Sequence, residues 1–302
     1  MPDPLRHVIL GAGGIGGLMG ACLARGGAPV TMVFRAESFA KYPEQLKLDS
    51  TFGSFSVPIL RATEVPPADV LWIAVKATQL EEALGSLRKP EMVRAIVPLL
   101  NGIDHLALLR ARYGGERVIA ATIAVESERV APGHIVHSTP FCRLNLASAG
   151  RNLLGPTLDE LQKLGFECRF IDDEATLMWG KIVFLAPFAL TTTAADKKVG
   201  EIFADPSWRE LGVSCIREAS AVAAAEGAKV DADGVIAWAM KVPGNMRSSM
   251  QKDVEAGRAP ELDAIAGPIL RAAKRHGIDV PATRKLVAAV EQRTGLRAES
   301  PK

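Results

Sequence analysis

Several short runs in the first half of the chain, His7–Leu10, Val30–Phe34, Val70–Val75 and Ala95–Leu99, are apolar with little polar alternation. Unbroken apolarity over so few residues is what a parallel strand buried on both faces requires. Between these runs, Gly14–Arg25 and Gln79–Arg88 have helical spacing. Strand, helix and strand in succession predict right-handed βαβ units and an α/β, Rossmann-type doubly wound sheet. Leu46–Leu48 and Phe52–Pro58 flank a turn at Asp49–Thr51 and predict a small hairpin. From Val118 to Ala147 the β pattern continues without clear helices, which predicts a mixed or antiparallel far edge of the same sheet. A helix over Pro156–Leu164 and a strand over Glu167–Ile171 close this half.

After Asp172 the β pattern stops. Ala175–Leu190, Pro206–Glu226, Gly234–Met240, Asn245–Ala256, Leu262–His276 and Pro281–Gln292 all have helical character, with Pro or Gly at several joints. The boundary falls near Ile171–Asp173. It divides the chain into a dinucleotide-binding domain over residues 1–172 and an all-α domain over residues 173–302. The tail Thr294–Lys302 is expected to fray.

Composition narrows the classes. A chain of 302 residues is comfortable for two cores. Lys plus Arg (36) nearly cancels Asp plus Glu (34), for a net charge of +2, so nothing points to a nucleic-acid or membrane-surface partner. Cys22, Cys142, Cys168 and Cys215 are scattered, without a CxxC pair or a Cys/His cluster. Zinc and disulfide frameworks are therefore not expected, and no metal is assigned; buried, reduced thiols in a cytoplasmic protein are. The apolar stretch Val8–Leu18 is too rich in glycine for a signal peptide. Ile182–Leu190 contains Pro187 and is too short to cross a bilayer.

Gly11-Ala12-Gly13-Gly14-Ile15-Gly16 matches GxGxxG between a predicted strand and a predicted helix. One glycine makes the tight turn, one lets backbone approach a diphosphate, and one allows close helix–strand packing. The helix start offers N–H groups and a positive dipole end to the anion. The second strand ends Val33-Phe34-Arg35. Where an NAD site usually has an acidic residue, Arg35 offers a planar cationic fork to a 2′-phosphate, which favours NADP(H). Glu37, two residues on, keeps NAD open. Lys76 and Asn101 follow later core strands at the carboxyl edge, where ligands collect; a surface lysine and a plain Asn-Gly turn look the same in sequence.

In the second half, Lys181 stands alone in the apolar run Met178–Leu185. If that run is helical, its ammonium either reaches a polar cleft or is desolvated, and desolvation makes a lysine a better proton donor near neutrality. A lysine snorkelling to the surface gives the same pattern. Glu261 and Asp263 open a later helix, where carboxylates commonly serve the dipole. Ser249 lies shortly before.

Together these residues resemble the ketopantoate reductase (2-dehydropantoate 2-reductase) family over nearly the whole chain. The carriers are GAGGIGG at Gly11–Gly17, FR at Phe34–Arg35, VKATQ at Val75–Gln79 and NG at Asn101–Gly102 in the first half. In the second they are WGK at Trp179–Lys181, SSMQKD at Ser248–Asp253 and ELDAIAG at Glu261–Gly267, followed by HGIDVP. The resemblance implies that Lys181 is the general acid which protonates the nascent alkoxide as NADPH delivers hydride to a 2-oxo acid. It implies that Glu261 lies beside the reacting oxygen and nicotinamide ribose, and that Ser249 helps hold the substrate carboxylate. Arg35 and Lys76 are implied at the 2′-phosphate, Asn101 at cofactor and substrate, and Glu126 near a backbone cofactor contact. A homodimer through the helical domain is implied in the same way. The family's pantoate-forming members typically carry asparagines four and eight residues after the lysine and another in the loop beyond. Here Leu185, Ala189 and Val199 stand there, which points away from ketopantoate toward a bulkier or less hydroxylated carbonyl compound. The expected function is NADPH-dependent reduction of a 2-oxo acid or related carbonyl. Ketopantoate reductase itself and a non-catalytic NADP-binding protein are the alternatives.

Overall fold

The computed structural model describes residues 4–296, and of the tail 294–302 the last six residues, 297–302, lie outside the described residues. The chain forms two compact units. The first comprises residues 1–100 and 105–172, the second residues 101–104 and 173–302.

The first unit runs β1 (His7–Leu10), α1 (Gly14–Arg25), β2 (Val30–Val33), α2 (Ala36–Phe39), β3 (Gln45–Ser50), β4 (Gly53–Pro58), β5 (Leu60–Ala62), β6 (Ala68–Ile73), α3 (Leu80–Leu84) and β7 (Val93–Pro98). It continues through α4 (His105–Tyr113), β8 (Ala121–Ala124), β9 (Ser127–Ala131), β10 (His134–His137), β11 (Arg143–Ala147), α5 (Arg151–Lys163) and β12 (Glu167–Ile171). The central sheet has five strands in the order β5-β2-β1-β6-β7, with every pair parallel. β1 is buried at all four positions, as its apolar run Val8–Leu10 demands, with His7 the one polar side chain in it. Inside this sheet the Trp72 indole donates to His7 Nδ1 at 3.0 Å. Burial pushes the His7 pKa down to about 4, so the ring is a neutral acceptor.

The stretch from Val118 to Ala147 is not the far edge of that sheet. β12-β11-β8 form a three-stranded sheet, and β4-β3-β10-β9 form a four-stranded one. An isolated parallel bridge, Ile96 to Val118, joins the stretch to β7. The β3–β4 hairpin pairs through β3 with β10, and α1 packs on this second sheet as well as on the first. Gly17 makes that packing possible, because a Cβ there would strike Ile135 on β10. Helix α4 was not anticipated, and Gln79–Arg88 shortens to a 3-10 turn, Ala77–Gln79, followed by α3.

The second unit is helical: α6 (Glu174–Ala195), α7 (Val199–Ala204), α8 (Pro206–Ala225), α9 (Ala232–Ala239), α10 (Ser249–Glu255), α11 (Leu262–His276) and α12 (Pro281–Thr294). Its core is built from Ile182, Val183 and Ala186 of α6 with Cys215 and Ala219 of α8, Ile265 and Ile269 of α11, and Leu286 and Val290 of α12. α6 has Asp173 as its N-cap, accepting from the Thr176 N–H and hydroxyl. Pro187 sits inside this helix rather than ending it, so the helix reaches 22 residues and is long and apolar enough to cross a membrane by length and composition. That corrects the shorter run expected above; the helix is mostly buried among its neighbours, as a core helix must be. All four cysteines are buried and free.

Candidate active site

The candidate residues fall into two groups, one in each unit. In the first unit the turn Gly11–Gly13 joins β1 to α1. Gly11 has φ +109, and a Cβ there would lie 2.7 Å from the Ala74 carbonyl oxygen, so only glycine fits. A Cβ on Gly16 would strike the Gly11 carbonyl oxygen, so its absence lets the helix close onto the turn. At Gly13 nothing lies within 4 Å of an added Cβ. Ala12, Gly14 and Ile15 complete a half-buried loop. No side chain caps α1, and its first turn has no acidic residue. Open backbone at an uncapped, acid-free helix start is a cradle that fits a diphosphate.

Register pairs Leu10 with Val33 on one side and with Ile73 on the other. Gly11, Arg35 and Lys76 therefore leave the sheet at the same carboxyl edge. The Arg35 guanidinium is exposed and donates to Glu82 Oε2 at 3.1 Å. An exposed pair of this kind is worth about 0–1 kcal/mol, so little energy holds the Arg35 guanidinium to Glu82. Glu37 is exposed in the first turn of α2, and Lys76, half-buried, opens the 3-10 turn. The Glu126 N–H donates to Thr139 Oγ1 at 3.3 Å. Its neighbour Ser127 reaches the glycine loop, with the hydroxyl donating to the Gly14 carbonyl at 3.0 Å. Sequence reading passed over Ser127, Arg129 and Tyr42, which all touch this loop.

In the second unit Lys181 lies on α6 with its Nζ donating to Asn101 Oδ1 at 3.0 Å. The Asn101 Nδ2 donates to Glu261 Oε2 at 3.1 Å. Burial desolvates the ammonium and pushes its pKa down from 10.5 to about 8, while the Glu261 charge pulls the other way. The residue as a whole is only partly buried, so desolvation acts at its polar end.

Residues 101–104 follow β7 in the chain but pack with the helices. Gly102, at φ +86, has no room for a Cβ beside the Ala264 carbonyl oxygen. Arg271 donates to Asp263 at 2.7 Å and also to Asp104, tying the segment to α11. Asp263 is thereby a partner of Arg271, and Asn101 is held against Glu261, the N-cap residue of α11.

Ser249 is exposed at the first position of α10, and among the described residues no hydrogen bond joins it to the Lys181 cluster. The preceding Ser248 is the buried N-cap, accepting from the Gln251 N–H and from the Thr192 hydroxyl. Leu185 and Ala189 lie one and two turns beyond Lys181 on α6, Leu185 partly and Ala189 fully buried, and Val199 is buried in α7. A shallow apolar groove, open to solvent, is lined by Phe184, Phe188 and Thr191 of α6 with Ile202, Phe203 and Ile216. The Phe184 ring stacks on Phe188 at 5.4 Å and meets Trp238 edge-on at 4.1 Å.

Residues 7–149 match the family described as ketopantoate reductase PanE/ApbA, and residues 174–294 match its C-terminal domain family. The 2-dehydropantoate 2-reductase of Caulobacter vibrioides is 28% identical over 291 residues, covering 93% of this chain and 96% of that protein. The crystal structure of a PanE/ApbA family ketopantoate reductase from Ralstonia eutropha JMP134 is 25% identical with a TM-score of 0.84, covering 96% of this chain and 98% of that one. The ternary structure of D-mandelate dehydrogenase with NADH and anilino(oxo)acetate has the same TM-score at 23% identity, covering 96% of this chain and 98% of that one, a likeness of fold.

Proposed function

Because the chain belongs to the ketopantoate reductase PanE/ApbA family, we propose that it reduces a 2-oxo acid to the 2-hydroxy acid with NADPH, using Lys181 as the general acid. It is an oxidoreductase acting on carbonyl or CH–OH groups with a nicotinamide dinucleotide. The observation that carries the catalytic reading is the Lys181–Asn101–Glu261 chain of hydrogen bonds around an ammonium whose pKa lies near 8. A proton donor works best when its pKa sits near the working pH.

The glycine loop binds the diphosphate, and Arg35 with Lys76 binds the 2′-phosphate. The nicotinamide supplies a hydride when bound. Lys181 gives a proton to the carbonyl oxygen as C2 takes the hydride and the C=O π electrons move to that oxygen. The neutral amine left behind recovers its proton from solvent. Asn101 holds the ammonium in place, and Glu261 keeps it from losing its proton too easily. Ser249, exposed at the first position of α10 next to its Ser248 cap, binds the substrate carboxylate.

The substrate proposed here is more apolar than ketopantoate. Leu185, Ala189 and Val199 offer no hydrogen bonds to a hydroxylated side chain, and the same helix lines an apolar groove from Phe184 onward. D-mandelate dehydrogenase, named with anilino(oxo)acetate, is a precedent on the same fold for an aromatic 2-oxo acid ligand. Assembly as a homodimer belongs to the same proposal and is measured by light scattering. The function is tested by NADPH oxidation across 2-oxo acids, including ketopantoate and aromatic members, with wild type and Lys181→Met. Turnover of an apolar oxo acid by wild type alone supports the reading. Turnover of ketopantoate above all others would identify the chain as ketopantoate reductase, and NADPH binding without any oxidation would leave a binding protein.

A further inference from the structure

β9 runs beside the glycine loop, and its alternate residues Ser127 and Arg129 face it from one side of the strand. Ser127 reaches Gly14, as described above. Arg129 Nη1 lies 2.6 Å from the Tyr42 hydroxyl and 3.4 Å from the Ala12 carbonyl oxygen. The Tyr42 hydroxyl in turn donates to the same Ala12 carbonyl at 2.9 Å. Tyr42 is buried and packs on Phe34, with ring centroids 4.3 Å apart, so the hydroxyl that holds Arg129 is itself fixed. The guanidinium also lies over the Tyr42 ring, 5.9 Å from its centroid. Among the described residues no carboxylate pairs with Arg129, whereas Arg35 and Arg112 on the same unit each have one. An arginine has five N–H donors. Here one nitrogen is spent on neutral oxygens, and the rest of the exposed guanidinium has no carboxylate partner although it is anchored on Ala12 of the glycine loop.

We propose that Arg129 is a third cofactor-binding cation, one that grips the diphosphate and not the 2′-phosphate. The inference rests on the dinucleotide reading of the loop but not on turnover. The choice of phosphate follows from position. Arg129 is anchored on Ala12, inside the diphosphate cradle, while Arg35 stands at the end of the neighbouring strand where the ribose is expected. Tyr42 is a positioning residue: it holds the guanidinium at the loop while its ring shields one face.

Titration of purified protein with NADPH and with NADH, by calorimetry over a range of salt, tests the assignment. Arg129→Gln keeps an N–H donor for Tyr42 and Ala12 and removes the charge. It is expected to weaken both nucleotides by about tenfold or more, leaving their affinity ratio unchanged and flattening the salt dependence. Arg35→Ala is expected to change that ratio. Thermal melts of each free variant show whether the fold survives, and Arg129→Met, which also removes the charge, serves if the glutamine variant does not fold. Unchanged affinities in a folded variant, or a loss confined to NADPH, would overturn the proposal. Wild type that binds neither nucleotide would overturn the cofactor reading itself, whereas binding without turnover would leave Arg129 in place and remove only the reductase.

Discussion

The Nζ of Lys181 donates a 3.0 Å hydrogen bond to Asn101 Oδ1, and the other end of the same amide donates to Glu261. An amide placed between an ammonium and a carboxylate has one orientation that satisfies both, with oxygen toward the donor and nitrogen toward the acceptor. Asn101 therefore fixes the direction of the lysine without adding a charge that would hold its proton. The clamp on Asn101 is Arg271, through Asp263 and Asp104.

The first prediction is a pH profile. Desolvation lowers the Lys181 pKa to about 8, and in the proposed reaction its protonated form is the acid. The rate of reduction is expected to be flat below that value and to fall as pH rises through it. The reverse oxidation needs the neutral amine and is expected to rise through the same value. Asn101→Asp puts a carboxylate against the ammonium, which favours the charged form, so the falling limb should move up by about one unit or more. The check is kcat for reduction from pH 6 to about 10.5 in both proteins, the upper limit being the ordinary lysine pKa. A limb that stays in place would separate Lys181 from the titration.

The second prediction separates two glycines of one motif. Gly13→Ala adds a methyl where nothing lies within 4 Å, so the free protein should keep its melting temperature to within a few degrees while losing dinucleotide affinity about tenfold or more. Gly16→Ala drives a Cβ into the Gly11 carbonyl oxygen and should lower the melting temperature itself. Paired melts with and without NADPH distinguish the two outcomes.

Some of this was legible in sequence, for physical reasons. The glycine loop shows because its backbone demands, a positive φ and missing Cβ atoms, leave a residue-type signature. β1 and β6 show because double burial leaves an apolar run in each, Val8–Leu10 and Val70–Ile73, after one polar residue near the start. The two smaller sheets did not show, since period-two alternation identifies a strand but not its partner. Helix α4 was hidden by its two late arginines and lack of an apolar stripe, and six-residue α7 by its shortness. The packing of Asn101–Asp104 with the helices involves Lys181, Glu261 and Arg271, distant in the chain, and no local pattern announces it. Ser249 stood out beside Ser248, but spacing alone does not tell a buried cap from the exposed residue after it.

A third prediction concerns substrate choice. Leu185 lies one turn beyond Lys181 and is only partly buried, so an amide fits there without opening the core. Leu185→Asn is expected to raise kcat/KM for ketopantoate by about tenfold, corresponding to about 1.4 kcal/mol, and to lower it for an apolar 2-oxo acid. If neither value moves in the folded variant, Leu185 does not face the substrate.

The fourth prediction is rescue of a missing proton donor. Lys181→Ala, loaded with NADPH at an affinity matching wild type, is expected to reduce its substrate at least about a hundredfold more slowly in a single turnover. Small primary alkylammonium ions in the buffer are expected to restore part of that rate in proportion to their concentration, with a pH dependence that follows the added amine. Undiminished reduction by Lys181→Ala would contradict the role assigned to Lys181.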